Sequence, residues 1–163
     1  MPTLIHRIVL AGTESEVPLA RRDIVERVRA WGVPLDEETV DAIRLVASEL
    51  IANAVIHGAG PITVALYHST GRLVIDVLDG STAAPRAANG GADAESGRGL
   101  SLVGLLALSW AWEPTDRGKR VWAELALPAP LSVARVGVPR DLPTTRAGGR
   151  TGAGPEFFTP AAA

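Results

Sequence analysis

Residues 48–58 read Ser48-Glu49-Leu50-Ile51-Ala52-Asn53-Ala54-Val55-Ile56-His57-Gly58, or SELIANAVIHG. Helix-compatible residues run to His57, and a glycine then stops them. Residues four apart share a helical face, so Glu49, Asn53 and His57 form one polar stripe. Ile43, Val46, Leu50 and Ala54 form the neighbouring apolar face, and Leu45, Ile51, Ala52, Val55 and Ile56 cover most of the remainder. That pattern predicts a helix buried nearly all round. A buried carboxylate and amide need partners, or each costs several kcal/mol. Two readings stay open at this point. Asn53 and Glu49 could hydrogen-bond to backbone across a core, with His57 favouring the negative end of the helix. Alternatively the stripe lines a ligand pocket, where an amide oxygen suits a hard cation and a nearby carboxylate accepts a proton.

Upstream, Ile5 to Leu10 is a short β-branched run that reads as a strand. Ser15 stands as an N-cap for a helix over Val17 to Trp31, whose spacing runs through Ala20, Ile24, Val28 and Trp31. Gly32-Val33-Pro34 ends it, and Asp36 caps the long helix that reaches His57. Downstream, Ile62 to His68 and Arg72 to Asp79 read as strands joined at Ser69-Thr70-Gly71. Residues 81–96 form a long loop with the composition of a lid. Leu100 to Leu108 reads as a short apolar helix. Ser109 to Glu113 and Arg120 to Leu127 are the last strands, linked by Pro114-Thr115-Asp116-Arg117-Gly118. Helices come mainly before strands, so the expected fold is an α/β chain of the two-layer α+β kind. Its sheet is expected to be mixed but mostly antiparallel, with helices packed on one face.

The chain has 163 residues, enough for one domain with a core, and a formal net charge of -2. That balance gives no electrostatic case for nucleic acid or an anionic membrane. With no cysteine there is no disulfide, thiolate metal site or cysteine nucleophile, which suits a reducing, cytoplasmic location. The N-terminal MPTLIHRIVLAG lacks the pattern of a signal peptide. The longest apolar stretch, Leu100 to Trp112, is interrupted and falls short of the ~20 residues of a membrane span. Residues 128–163 are rich in Pro, Gly, Ala and Thr, and carry four arginines against Asp141 and Glu156. Such a segment buries too little surface to offset its ordering entropy, so a folded unit over 1–127 and a disordered tail over 128–163 are expected.

Two further features carry chemistry. In Leu73-Val74-Ile75-Asp76-Val77-Leu78-Asp79, alternation sets Leu73, Ile75, Val77 and Asp79 on one face. Asp79 therefore ends an inward-facing row, just before Gly80. It is either a strand-end turn residue or a deep carboxylate that accepts from a donor such as an exocyclic amine. Ser96-Gly97-Arg98-Gly99-Leu100 then sets glycines before an apolar helix. Free N–H groups at a helix start attract anions, glycines allow close approach, and Arg98 adds a forked donor.

In this order, the motifs resemble the GHKL superfamily of ATP-binding domains, which includes gyrase, a heat-shock chaperone, histidine kinases and mismatch-repair ATPases. Glu49 to Gly58 looks like the N box, Asp79-Gly80 like the first glycine box and Gly97-Arg98-Gly99-Leu100 like the second. Gly118-Lys119-Arg120-Val121-Trp122 and Trp110 extend the likeness to the single-domain, RsbW-type anti-sigma-factor serine/threonine kinases. The likeness spans roughly residues 5–127 and implies a Bergerat-type sheet. It also implies ATP and Mg²⁺ as cofactors, with Asn53 holding the metal and Glu49 as the catalytic residue that orients or deprotonates the attacking hydroxyl. Asp79 and Gly80 would receive the adenine, and Gly97, Arg98, Gly99 and Leu100 the phosphates; His57 would touch phosphate or only cap its helix. Arg120 stands where this subgroup often has Thr beside the adenine pocket. The implied partner is a STAS-domain anti-anti-sigma protein, a sigma factor or both, with a homodimer also allowed. The alternative is a non-catalytic nucleotide-binding regulator that sequesters its partner.

Overall fold

Side-chain alternation along the strands sets which residues can meet the helices, and the fold follows from it. The structure, a computed structural model, describes residues 2–85 and 99–128. The expected lid beyond Pro85 and the expected tail beyond Pro128 lie outside the described residues. In chain order the elements are β1 (Thr3–Leu10), α1 (Glu16–Ala30), α2 (Glu37–His57), β2 (Ile62–Ser69), β3 (Arg72–Asp79), α3 (Gly99–Leu106), β4 (Ser109–Thr115) and β5 (Gly118–Ala126). The strands form one sheet in the order β1-β2-β3-β5-β4.

Every neighbouring pair of described strands is antiparallel, where a mixed sheet was expected. The connections explain this. Two helices between β1 and β2 reverse the chain twice more than a hairpin would, so β2 returns antiparallel. Among the described residues a single helix, α3, stands between β3 and β4, and those two strands do run the same way. The hairpin return of β5 then inserts between them, so the parallel pair never touches. The two-layer α+β sandwich stands, with an antiparallel sheet as one layer.

Inward positions line up across the ladders: Leu66 faces Ile75, which faces Ala123, and Val64 faces Val77, which faces Val121. All six are at least nine-tenths buried. Against them α2 lays Val40, Ile43, Val46, Ala47, Leu50, Ile51 and Ala54, spaced by three and four residues. Each large side chain so buried contributes roughly 1.5–3 kcal/mol. The helix is not buried all round, however. Leu45 is 36% and Ile56 55% exposed. The sheet lies below α2, with α1 and α3 packed against it, and its outward side has no covering layer among the described elements. The polar stripe thus runs along the margin of the buried face.

Helix starts also differ in detail. Asp36 caps α2 as expected, accepting from the Thr39 N–H at 2.7 Å. Ser15 occupies the N-cap position of α1 but makes no side-chain cap there. Glu16 takes over, accepting from the N–H groups of Ala11 and Gly12, each at 3.0 Å, and Thr13 at 2.8 Å. These bonds, that of Thr13 foremost and then Ala11, lower the Glu16 carboxyl from 4.5 to about 2. On β4, pairing continues through Pro114 to Thr115, so the expected five-residue link shrinks to Asp116-Arg117. Proline is tolerated because β4 is an edge strand.

On the sheet face away from the helices, Arg120 holds Asp76. Its Nε donates to Oδ1 at 2.9 Å and Oδ2 at 2.8 Å, and Nη2 lies 2.7 Å from Oδ2. Nη1 donates to Glu113 at 3.2 Å, and the guanidinium lies 5.0 Å from the Trp122 ring centre. Burial opposes the Arg120 charge, but the two carboxylates outweigh it and hold the group above its ordinary value.

Two outcomes follow from these contacts. Arg120→Met leaves Asp76 buried without its cation and should cost about 3 kcal/mol in urea denaturation; adding Asp76→Leu should recover most of that loss. The Glu16 carboxyl carbon should titrate in NMR with a midpoint near 2. Its depressed value means that its stabilising effect is complete above pH ~4.5 and is lost as pH falls through about 2. Glu16→Gln should abolish that part of the acid dependence.

Candidate functional site

The C-terminal half of α2 meets the end of β3 and the start of β5, and the polar side chains gather there. Asp79 closes the inward row of β3 and is 5% exposed. Across the ladder its partner is Lys119, the next inward position after Val121 on β5. Lys119 is fully buried, and its Nζ donates to Asp79 Oδ1 at 3.1 Å. The Ser81 N–H also donates to Oδ1, at 2.8 Å. Oδ2 lies 3.0 Å from the ammonium, close enough for ion pairing, yet no hydrogen bond is aligned to it. That oxygen keeps acceptor capacity.

Glycines bring backbone close around this carboxylate. Gly58 is not left-handed, at φ -88°, so turn geometry does not require it. Space does: a Cβ there would overlap the Ala54 carbonyl oxygen and come within 2.8 Å of the Asp79 carboxyl carbon. Gly118 has φ +147°, and a Cβ there would collide with the backbone of Asp79 and Gly80. Gly80 donates its N–H to the Ala59 carbonyl at 2.7 Å, tying the exit of α2 to the end of β3.

The polar stripe runs back from this point along α2. Asn53 Oδ1 is buried and has no hydrogen-bond partner among the described residues. Glu49 and His57 are half-buried, and neither makes a hydrogen bond or ion pair among the described residues. Glu49 packs against Gly99 at the start of α3, where a Cβ would overlap its Oε2. The stripe therefore spans two ends, Asp79 beside Gly58 and Gly99 beside Glu49. At 1.5 Å per residue, Glu49 and His57 stand roughly 12 Å apart along the axis. Of the other sequence-predicted residues, Leu100 is 4% exposed and sits in the apolar core, so only its backbone is left to face a ligand. Gly97 and Arg98 lie outside the described residues.

Lys119 was missed by the reading of the site residues, and Arg120 was placed wrongly. Val121, Ala123 and Leu125 alternate inward on β5, and extending that row by one step reaches Lys119 rather than Arg120. Arg120 therefore lies on the opposite face and takes no part beside Asp79. A separate cleft of about 380 Å³, lined by Arg29, Leu35, Asp36, Glu37, Val40, Asp41 and Arg44, lies at the far end of α2 from Asp79.

The first reading of the stripe requires Asn53 and Glu49 to satisfy backbone donors. Among the described residues Asn53 Oδ1 satisfies none, and neither does Glu49. What remains among the described residues is a buried acceptor beside a half-buried carboxylate, with a second acceptor at Asp79 Oδ2 that is met only by its ion pair with Lys119. Comparison with known families decides the frame. Residues 10–125, more than half of the chain, match the histidine kinase-like ATPase domain. The chain belongs to this family. No match was found among curated proteins. The histidine kinase-like ATPase match runs from the end of β1 almost to the end of β5, so every described residue of the polar cluster falls within it. An ATP-binding domain accounts for a row of acceptors that the fold itself leaves unspent. Among the described residues, no helix is long and apolar enough to cross a membrane.

The Asp79–Lys119 pair should behave as a coupled unit. Lys119→Met alone leaves a buried carboxylate and should cost about 3 kcal/mol, as should Asp79→Leu alone. The double variant should be far more stable than the sum of the two losses, read from a urea double-mutant cycle.

Proposed function

We propose that this chain is an ATP-dependent protein serine/threonine kinase of the RsbW type. Its substrate in this reading is a STAS-domain anti-anti-sigma protein, and it also sequesters a sigma factor. The observation that carries the reading is Glu49. It is a half-buried carboxylate with no hydrogen-bond or ion-pair partner among the described residues, one helical turn from Asn53 and packed on the start of α3. A structural carboxylate would be spent on a donor. A general base must be free to take a proton.

The residues fit a nucleotide and its metal. Asn53 Oδ1 is an orphaned buried oxygen, the donor type that a hard cation accepts, and Mg²⁺ takes few protein ligands because it keeps waters and phosphate oxygens. When bound, Mg²⁺ would supply charge neutralisation at the transferred phosphoryl group. Asp79 would accept from the exocyclic amine of adenine. Gly99, packed against Glu49, would bring backbone close to the phosphates, and Gly97 and Arg98 extend that role in sequence. Glu49 would orient the serine or threonine hydroxyl of the partner and take its proton as the phosphoryl bond forms. His57, at the base end of the stripe, would serve the helix terminus. A cytoplasmic location follows from the proposed partners.

The test is transfer of labelled γ-phosphate from ATP to a STAS-domain partner. Glu49→Gln should reduce transfer by at least ~100-fold, the scale of a lost general base, while ATP affinity by calorimetry stays within about threefold. Undiminished transfer by that variant would overturn the role of Glu49. Tight ATP binding with no transfer by the unaltered chain would favour a regulator acting by sequestration alone.

A further inference from the structure

Lys119 has no role in the reading above, and its placement calls for one. It is the chain's one lysine; every other basic side chain that is cationic at all pH values of interest is arginine. That lysine is fully buried, on the inward face, across the ladder from the carboxylate assigned to adenine. An ammonium carries three donors. Among the described residues its hydrogen bond goes to Asp79 Oδ1. Nζ also ion-pairs with Asp79 Oδ2 at 3.0 Å, so of its three N–H groups one is left over, and Oδ2 keeps a lone pair beyond that contact. A spare donor and a spare acceptor side by side in a buried, glycine-walled site form a two-point complement. The matching partner is a planar edge that presents a donor next to an acceptor. The adenine edge does so, with the N6 amine beside ring N1.

With ATP as the ligand, as proposed above, we infer that Lys119 reads the base directly, donating from Nζ to N1 of adenine while Asp79 Oδ2 accepts from N6. Lysine suits this place better than arginine. A compact ammonium can share its donors between a carboxylate and a ring nitrogen, whereas a guanidinium fork tends to commit both arms to one carboxylate. Arg120, one residue on and on the other face, does just that with Asp76. Lys119 is thus a specificity-determining residue: N1 must be an unprotonated acceptor for the base to meet both groups.

The experiment changes the ligand and leaves the protein intact. Affinities of the full chain for ATP and for 1-deaza-ATP, in which N1 is replaced by C–H, are measured by calorimetry with Mg²⁺. Loss of a hydrogen bond from a charged donor should weaken binding by about tenfold or more. A single lysine also gives a single side-chain signal after labelling with ¹⁵N-lysine. The Lys119 Nζ resonance should shift on ATP binding and shift much less with 1-deaza-ATP. In Lys119→Met the two nucleotides should bind equally within about twofold; should that variant fail to fold, the labelled unaltered chain still gives the answer. Equal affinity of the unaltered chain for both nucleotides would overturn the assignment of Lys119 and leave the ATP reading intact, whereas tighter binding of GTP than of ATP would overturn both. No binding of ATP at millimolar concentration would overturn both.

Discussion

Asp79 and Lys119 meet inside the protein, and burying that pair is the constraint around which the site is organised. Moving two charges out of water costs several kcal/mol each, and their attraction repays this only when the geometry is good. The sheet supplies the geometry. Antiparallel pairing of β3 with β5 sets the two residues directly opposite. Each extends an apolar inward row by one step, so the pair forms the polar end of a core that is otherwise Leu, Ile, Val and Ala. Gly58, Gly80 and Gly118 then let three backbone segments close around the carboxylate. A side chain at Gly58 or Gly118 would force the layers apart at the point where α2, β3 and β5 converge.

That convergence also explains the polar line on α2. Seven apolar residues commit one face of the helix to the sheet and to its neighbouring helices. Glu49, Asn53 and His57 fall at the edge of this face, half covered, with Glu49 against the start of α3. A helix buried on every side would have forced each of them to find a protein partner. A marginal position lets the Glu49 carboxylate do without a partner among the described residues at modest cost, and it leaves Asn53 Oδ1 as the one strongly desolvated acceptor of the three. The fold tolerates that unmet acceptor because its large apolar core outweighs the penalty.

Much of this was legible in the sequence, because the strongest signals are periodic. The alternation of β3 placed Asp79 at the end of an inward row, while leaving a turn residue and a deep carboxylate both open, and spacing by four marked the α2 stripe. The limits of both helices and strands lay within a few residues of the observed ones. What sequence did not reveal depends on relations between elements. A five-strand sheet built from these connections pairs antiparallel only because β5 inserts between β3 and β4, and no local pattern states that. Ser15 looked like a cap, but the turn at Ala11–Thr13 points three N–H groups at Glu16, a geometry that residue type alone does not specify. Lys119 and Arg120 are adjacent, and because a shift of one residue inverts a strand, which of them faces the helices depends on a register that the family likeness alone does not give.

The two adjacent cations show how the pleat separates structure from function. Arg120 faces away from the helices and is fully engaged: three contacts to Asp76, one to Glu113 and a stacked Trp122. A satisfied network of that kind stabilises the sheet and has little left to offer a ligand. Lys119 faces the core, where its pairing with Asp79 leaves a donor on one group and an acceptor on the other. Both are buried ion pairs on the same two strands, with similar desolvation costs. The difference lies in what remains unspent. A protein selected only for stability has no reason to leave hydrogen-bonding capacity in a buried pair, since each unmet group costs about 1–3 kcal/mol. The same deficit recurs at Asn53, along the seam of α2. Polar groups left with hydrogen-bonding capacity on the helix-facing side, set against full satisfaction on the outer face of the same sheet, are in keeping with a domain of the ATP-binding family.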